Sequence, residues 1–173
     1  MKPVNRGEPI VLAMQATETN HCFGCAKRNP AGLALELYES DDGGVTCDFV
    51  LDRRHESYPG IVHGGASAAV VDEVMGNLLV HVERIVCFTV TLRITYAGSL
   101  RIGHPYRATA WIKSRPRKPG DLYKVESDIR NAEGGLVIMA RASFHWMSAS
   151  DYRRALDTTE DPDPALMPFF RQD

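Results

Sequence analysis

Apolar and polar positions along the chain change period several times, and each change marks an element. Residues 32–39, GLALELYE, alternate, with Leu33, Leu35 and Leu37 on one side. Residues 45–51 alternate again, with Val45, Cys47 and Phe49 together. A period of two is that of a half-buried strand, and Asp41, Asp42, Gly43 and Gly44 between the two runs supply a turn, so a hairpin is expected. The polar stretch 52–60, closed by Pro59 and Gly60, reads as a loop. Residues 65–82 then lose the alternation. They are apolar on almost every face over the length of a helix, and an enclosed helix has this pattern.

The alternation returns in 86–96, VCFTVTLRITY, whose β-branched and aromatic residues make it the clearest strand of the chain. Two further strands are expected at 104–112 and 122–130 around the basic loop 113–121, and a last one at 135–147 after the turn at 131–134. Two strands, one long helix and four strands predict an α+β domain in which one curved antiparallel sheet wraps one helix. That domain spans 32–147. Residues 1–31 precede it as a segment carrying the turn His21-Cys22-Phe23-Gly24-Cys25, and 148–173 follow as a charged, proline-bearing tail with an aromatic end.

Composition narrows the function classes. The 173 residues are 44% hydrophobic and 24% charged with a formal net charge of -2, which gives no global basic field for a nucleic acid. Asp72, Glu73, Asn77 and His81 interrupt the apolar helix, so it is not read as a membrane span. The first 15 residues hold an apolar run of only about five, too short for a secretory signal, and a cytoplasmic location is expected. Four cysteines in such a chain are read as reduced thiols. Cys22 and Cys25, with His21, have a spacing that zinc accepts, but the chain shows no second CxxC or HxxxH to complete four ligands. A tight turn with packed thiols is expected, with no metal and no cofactor.

Asp72 is the residue that needs a reason. On a helix its neighbours at three- and four-residue spacing are Ala68, Ala69, Met75, Gly76 and Leu79, and none of them can pair with a charge. Burying an unpaired carboxylate costs several kcal/mol, so Asp72 meets a partner from elsewhere, borders a water-filled cleft or does chemistry, and the last two are favoured. Glu73 lies about 100° further round the helix and is expected to miss that cleft. Gly64 and Gly65 let a carbonyl group approach the backbone at the helix start, where unpaired N–H groups stabilise developing negative charge.

Taken together, Pro59-Gly60-Ile61-Val62, His63-Gly64-Gly65, Asp72 nine residues after the His, Gly76 four beyond it and the strand ending Ile94-Thr95-Tyr96 resemble the hotdog-fold acyl-CoA thioesterases. The HCFGC turn and residues 29–33, NPAGL, are similar to the start of one subgroup. The resemblance implies a homodimer or dimer of dimers with active sites between subunits, and acyl-CoA as substrate. Asp72 takes the position of the family's general base or nucleophile, and His63 and Gly64 match the turn whose backbone N–H holds the thioester oxygen. Thr89 matches a Ser or Thr from the neighbouring subunit that positions the water, with Thr91 on the same strand face as the fallback. Ser57 stands where some members carry an amide. Lys113, Arg115, Arg117 and Lys118 are candidates for the phosphates of coenzyme A. The competing reading is a non-catalytic acyl-CoA-binding or regulatory protein that uses the same cleft.

Overall fold

In a computed structural model the structure describes residues 7–11, 20–118 and 120–171. The chain forms β1 (Tyr38–Glu39), β2 (Val45–Val50), α1 (Gly64–Leu78), β3 (Cys87–Tyr96), β4 (Pro105–Ser114), β5 (Tyr123–Asn131), β6 (Leu136–Trp146) and α2 (Ala149–Ala155). The strands make one six-stranded antiparallel sheet in the order β1-β2-β4-β5-β6-β3. This is the expected hotdog arrangement, a sheet curved around one long helix. Residues 1–6 and 12–19 of the first segment lie outside the described residues.

Alternation in the strands decides which side chains meet the helix. Phe49, Ala108, Ala110, Val125, Ile138, Ala140 and Phe144 form the core with Val70, Val71, Val74, Met75, Leu78 and Leu79 of the helix. Small residues on β4 and β6, such as Ala108, Ala110 and Ala140, let the backbone of the sheet come close to the helix. His63 caps α1 with its ring, and Gly76 sits against Phe144 without needing space from it.

Two element boundaries and the interior of one strand differ from the sequence expectation. The strand expected at 32–39 shrinks to Tyr38–Glu39, because Ala34 takes a left-handed backbone (φ 50°) and the Leu33 and Leu35 N–H groups donate to the Phe23 and Gly24 carbonyls of the HCFGC turn. The helix widens into a π turn over Leu79–Glu83 and stops where Arg84 becomes left-handed (φ 55°). Val90 is an extra residue in β3: Thr89 faces Phe144 and Thr91 faces Ser143 on β6, which is the count of a β-bulge. After β6, Ser148 caps α2 in a capping box. The chain then returns to bury Phe169, whose carbonyl accepts from Val86 N–H and whose ring lies under the Arg84 guanidinium.

Candidate active site

Asp72 projects from the middle of α1 toward the first residues of β3. Thr89 Oγ1 donates to Asp72 Oδ1 at 2.8 Å. Asp72, Glu73, Gly76, Asn77, Val80, Val86, Cys87, Thr89 and Phe144 line a cavity of about 170 Å³. Asp72 is only partly buried and Thr89 is exposed, so the carboxylate borders solvent at the free edge of the sheet. Asp72 Oδ2 takes part in none of the hydrogen bonds found among the described residues, which leaves it available to a water.

The partner that Asp72 required therefore comes from its own chain. The resemblance implies a Thr89 from a neighbouring subunit; here β3 folds back so that its inward residues Cys87 and Thr89 lie over the carboxylate of the same protomer. The bulge also overturns the shared face of Thr89 and Thr91. Thr91 Oγ1 donates to Ser143 Oγ on the outer side of the sheet, while Thr89 turns inward. Cys87 has its thiol pushed up to about 12, first by burial and then by the Asp72 charge.

Glu73 corrects a further expectation, since it lines the same cavity as Asp72. A Cα direction 100° round a helix does not limit a three-bond side chain that curls back. Asn77 Nδ2 draws it, donating to Glu73 Oε1 at 2.7 Å. On its far side Glu73 meets the HCFGC turn, with Cys22 Sγ 3.5 Å from Oε1. Cys22 is lowered to about 7 by its hydrogen bond from Cys25, and that same bond, with burial, raises Cys25.

At the helix start, His63 Nδ1 accepts from Gly65 N–H at 2.9 Å, so the ring serves as the cap. Acceptance at Nδ1 requires that nitrogen to be unprotonated. The cap consumes one of the two glycine donors. Gly64 N–H, the first of the helix, is used by none of the hydrogen bonds found among the described residues and is exposed. Tyr96, which the sequence singled out only for its spacing, donates from its OH to Gly64 O at 3.0 Å and fastens the far end of β3 to this turn. Ser57 is exposed, with its N–H held by Ile61 O.

The basic loop lies elsewhere. Arg115 is already paired with Glu83 at 2.9 Å beyond the end of α1, and Lys113 is 3.7 Å from Glu126. Arg117 and Lys118 are exposed and carry no ion pair found among the described residues. The cavity beside Ser114, Arg115 and Arg117 is separate from that of Asp72.

Comparison with known proteins agrees with this geometry. Residues 59–138 match the model of the thioesterase superfamily, a stretch that holds the glycine turn, the helix and β3 through the start of β6. Human acyl-coenzyme A thioesterase 13 is 26% identical over 113 residues, covering 64% of this chain and 79% of that protein. A thioesterase superfamily protein of solved structure is 25% identical with a TM-score of 0.58, over 65% of this chain and 54%, about half, of its own length. Zebra fish thioesterase superfamily member 2 shares the fold at 24% identity and TM-score 0.61, over 77% of this chain and 90% of its own. Among the described residues no helix is long and apolar enough to cross a membrane. With the glycine turn, the helix and the β3 edge all inside the matched stretch, the chain has the hotdog fold and is similar over residues 59–138 to the thioesterase superfamily.

Proposed function

We propose that this protein hydrolyses acyl-CoA thioesters, with Asp72 as general base, Thr89 holding that carboxylate and Gly64 N–H stabilising the oxyanion. The observation that carries the reading is the Thr89–Asp72 hydrogen bond at the solvent-facing cavity. One oxygen is fixed by the threonine and the other is left to take a proton from water. The water oxygen then bonds to the thioester carbon, the C–S bond breaks, and the proton held by Asp72 passes to the departing sulfur, releasing the acid and the CoA thiol. Acyl-CoA as substrate is brought from the thioesterase 13 relative.

One chain cannot supply both groups to one thioester. Gly64 and Asp72 are eight residues apart, or about 12 Å along a helix. The Gly64 N–H points outward past the helix start, so an oxygen held there lies about 15 Å from the Asp72 Cα. A carboxylate, one water and an attack distance bridge about 9 Å. The donor that completes the site of Asp72 is therefore the Gly64 N–H of a second copy. The β3 edge supports this pairing: it is ten residues long, unpaired along one side, and exposes Phe88, Val90 and Tyr96 at about half of their surface. An apolar open edge of this length is a surface that proteins cover. Two copies joined there form a homodimer, alone or within a dimer of dimers. In that assembly Arg117 and Lys118, which carry no ion pair among the described residues, face the coenzyme phosphates, and Arg115 joins them only by leaving Glu83.

The test is release of free thiol from a panel of acyl-CoAs by the wild-type chain and by Asp72→Asn. Hydrolysis by the wild type and its loss in a folded Asp72→Asn variant supports the reading. Tight acyl-CoA binding with no thiol released from any substrate replaces it with the non-catalytic alternative.

A further inference from the structure

The HCFGC turn, which the hydrolytic reading leaves without a task, lies on the helix flank one residue beyond Asp72. Its two sulfurs and the Glu73 carboxylate form a cluster in which one ligand atom of each residue lies within 4.8 Å of the others. Cys22 Sγ is 3.5 and 3.6 Å from the two Glu73 oxygens. In a tetrahedral zinc site, with Zn–S of about 2.3 Å and Zn–O of about 2.0 Å, a sulfur and an oxygen ligand stand roughly 3.5 Å apart. The observed spacing is thus that of two corners of such a site, with Cys25 at a third.

Charge points the same way. Glu73 is partly buried, yet it takes part in none of the ion pairs found among the described residues. Among the described residues its oxygens meet the Asn77 amide and the two thiols. A half-buried carboxylate facing two acidic hydrogens and no cation is poorly compensated, and a divalent ion supplies the missing charge. The backbone also favours the approach. Gly24 lies between the cysteines, and a Cβ there would overlap the Glu73 carboxylate. The Cys22 sulfur receives the N–H groups of Gly24 and Cys25, donors that support a thiolate.

We propose that Cys22, Cys25 and Glu73 bind one divalent transition-metal ion of the zinc class, with the fourth tetrahedral position left to water. Binding releases the two thiol protons to solvent and leaves two thiolates and one carboxylate around the ion. CxxC supplies two ligands from a turn and the helix supplies the third. The site staples the segment that carries Leu33 and Leu35 to α1 beside the cavity. Its role is to hold this wall in position, and it stands whether or not the chain hydrolyses thioesters.

Cobalt(II) titration of the reduced full chain without oxygen tests it, because cobalt thiolate bonds absorb in the near ultraviolet and tetrahedral cobalt absorbs in the visible. The expected result is both bands saturating at one ion per chain and bleaching when zinc is added. Cys22→Ser or Cys25→Ser alone weakens the thiolate band and the affinity, the two together abolish the band, and Glu73→Gln retains it with affinity weakened at least tenfold. No thiolate band in the reduced wild-type chain overturns the proposal, as does a band that survives in the double serine variant. If the serine variants do not fold, the near-isosteric Glu73→Gln decides: unchanged cobalt affinity and spectrum overturn the three-ligand assignment.

Discussion

Replacing Gly64 by proline removes a single hydrogen atom of interest and little else. Gly64 is the first residue of α1, a position where proline is favoured because the N–H it lacks has no helical acceptor. His63, at φ -61° and ψ 135°, already has the extended backbone that a residue before proline needs. A Cβ at Gly64 meets Tyr96 Oη at 3.7 Å, an ordinary contact. The substitution should therefore leave stability unchanged or raise it by about 0.4–1 kcal/mol through the unfolded chain. Catalysis should suffer, since loss of one oxyanion donor costs about 2.7–4 kcal/mol, or roughly 100- to 1,000-fold in kcat. Gly64→Ala, which keeps the N–H, is the matched control and should lose far less. The assay is thiol release from a substrate of the wild-type chain, with thermal unfolding recorded on the same samples. A folded Gly64→Pro variant within threefold of the wild-type kcat would refute the oxyanion role.

Thr89→Ala should lower kcat by roughly 10- to 100-fold, the worth of a hydrogen bond to a charged group, whereas Thr89→Ser should keep most of the rate. Thr91→Ala, altered on the outer face, should not change it, and equal losses at both positions would contradict the inward turn set by the bulge. Cys87 should resist alkylation at pH 8, because a thiol at about 12 is ionised there to only about one part in ten thousand; Asp72→Asn should speed the reaction by removing a charge that raises it. The stability gained by keeping that thiol protonated is full below pH 9, the ordinary thiol value, and is lost as pH rises toward 12, which urea unfolding between pH 8 and 11 should detect. Leu78→Ala, at a fully buried position of the helix, should cost about 2–5 kcal/mol in the same assay.

What the sequence reveals about this fold depends on whether a feature is periodic. The alternation of Val86 through Tyr96 and the apolar helix around Asp72 are repeating patterns, and both elements lie where the pattern places them. Single-residue events break the pattern without announcing themselves. Val90 carries no turn residue to mark the bulge, yet it alone separates the faces of Thr89 and Thr91. Ala34 looks like any strand residue, and only its backbone bonding to the HCFGC turn takes Leu33 and Leu35 out of the sheet. Glu73 escapes the pattern because helix periodicity locates a Cβ and says nothing of where a long side chain goes when Asn77 one turn on can hold it. For the same reason the Cys22–Cys25 pair reads as incomplete in sequence: its third potential ligand is 48 residues from Cys25 along the chain and adjacent only in space. The His63–Gly65–Asp72 spacing was legible as chemistry, because helix starts and buried carboxylates have energetic meaning before any coordinates exist.

The shared site is tested most directly by mixing two inactive variants, Asp72→Asn and Gly64→Pro, unfolding and refolding them together so that copies reassort. If Asp72 of one copy works with Gly64 N–H of the other, each heterodimer has one site with both lesions and one with neither. Equal mixing should then restore about one quarter of the wild-type activity. If instead each chain holds a complete site of its own, every copy in the mixture carries a lesion, and activity will stay at the level of the two variants measured separately.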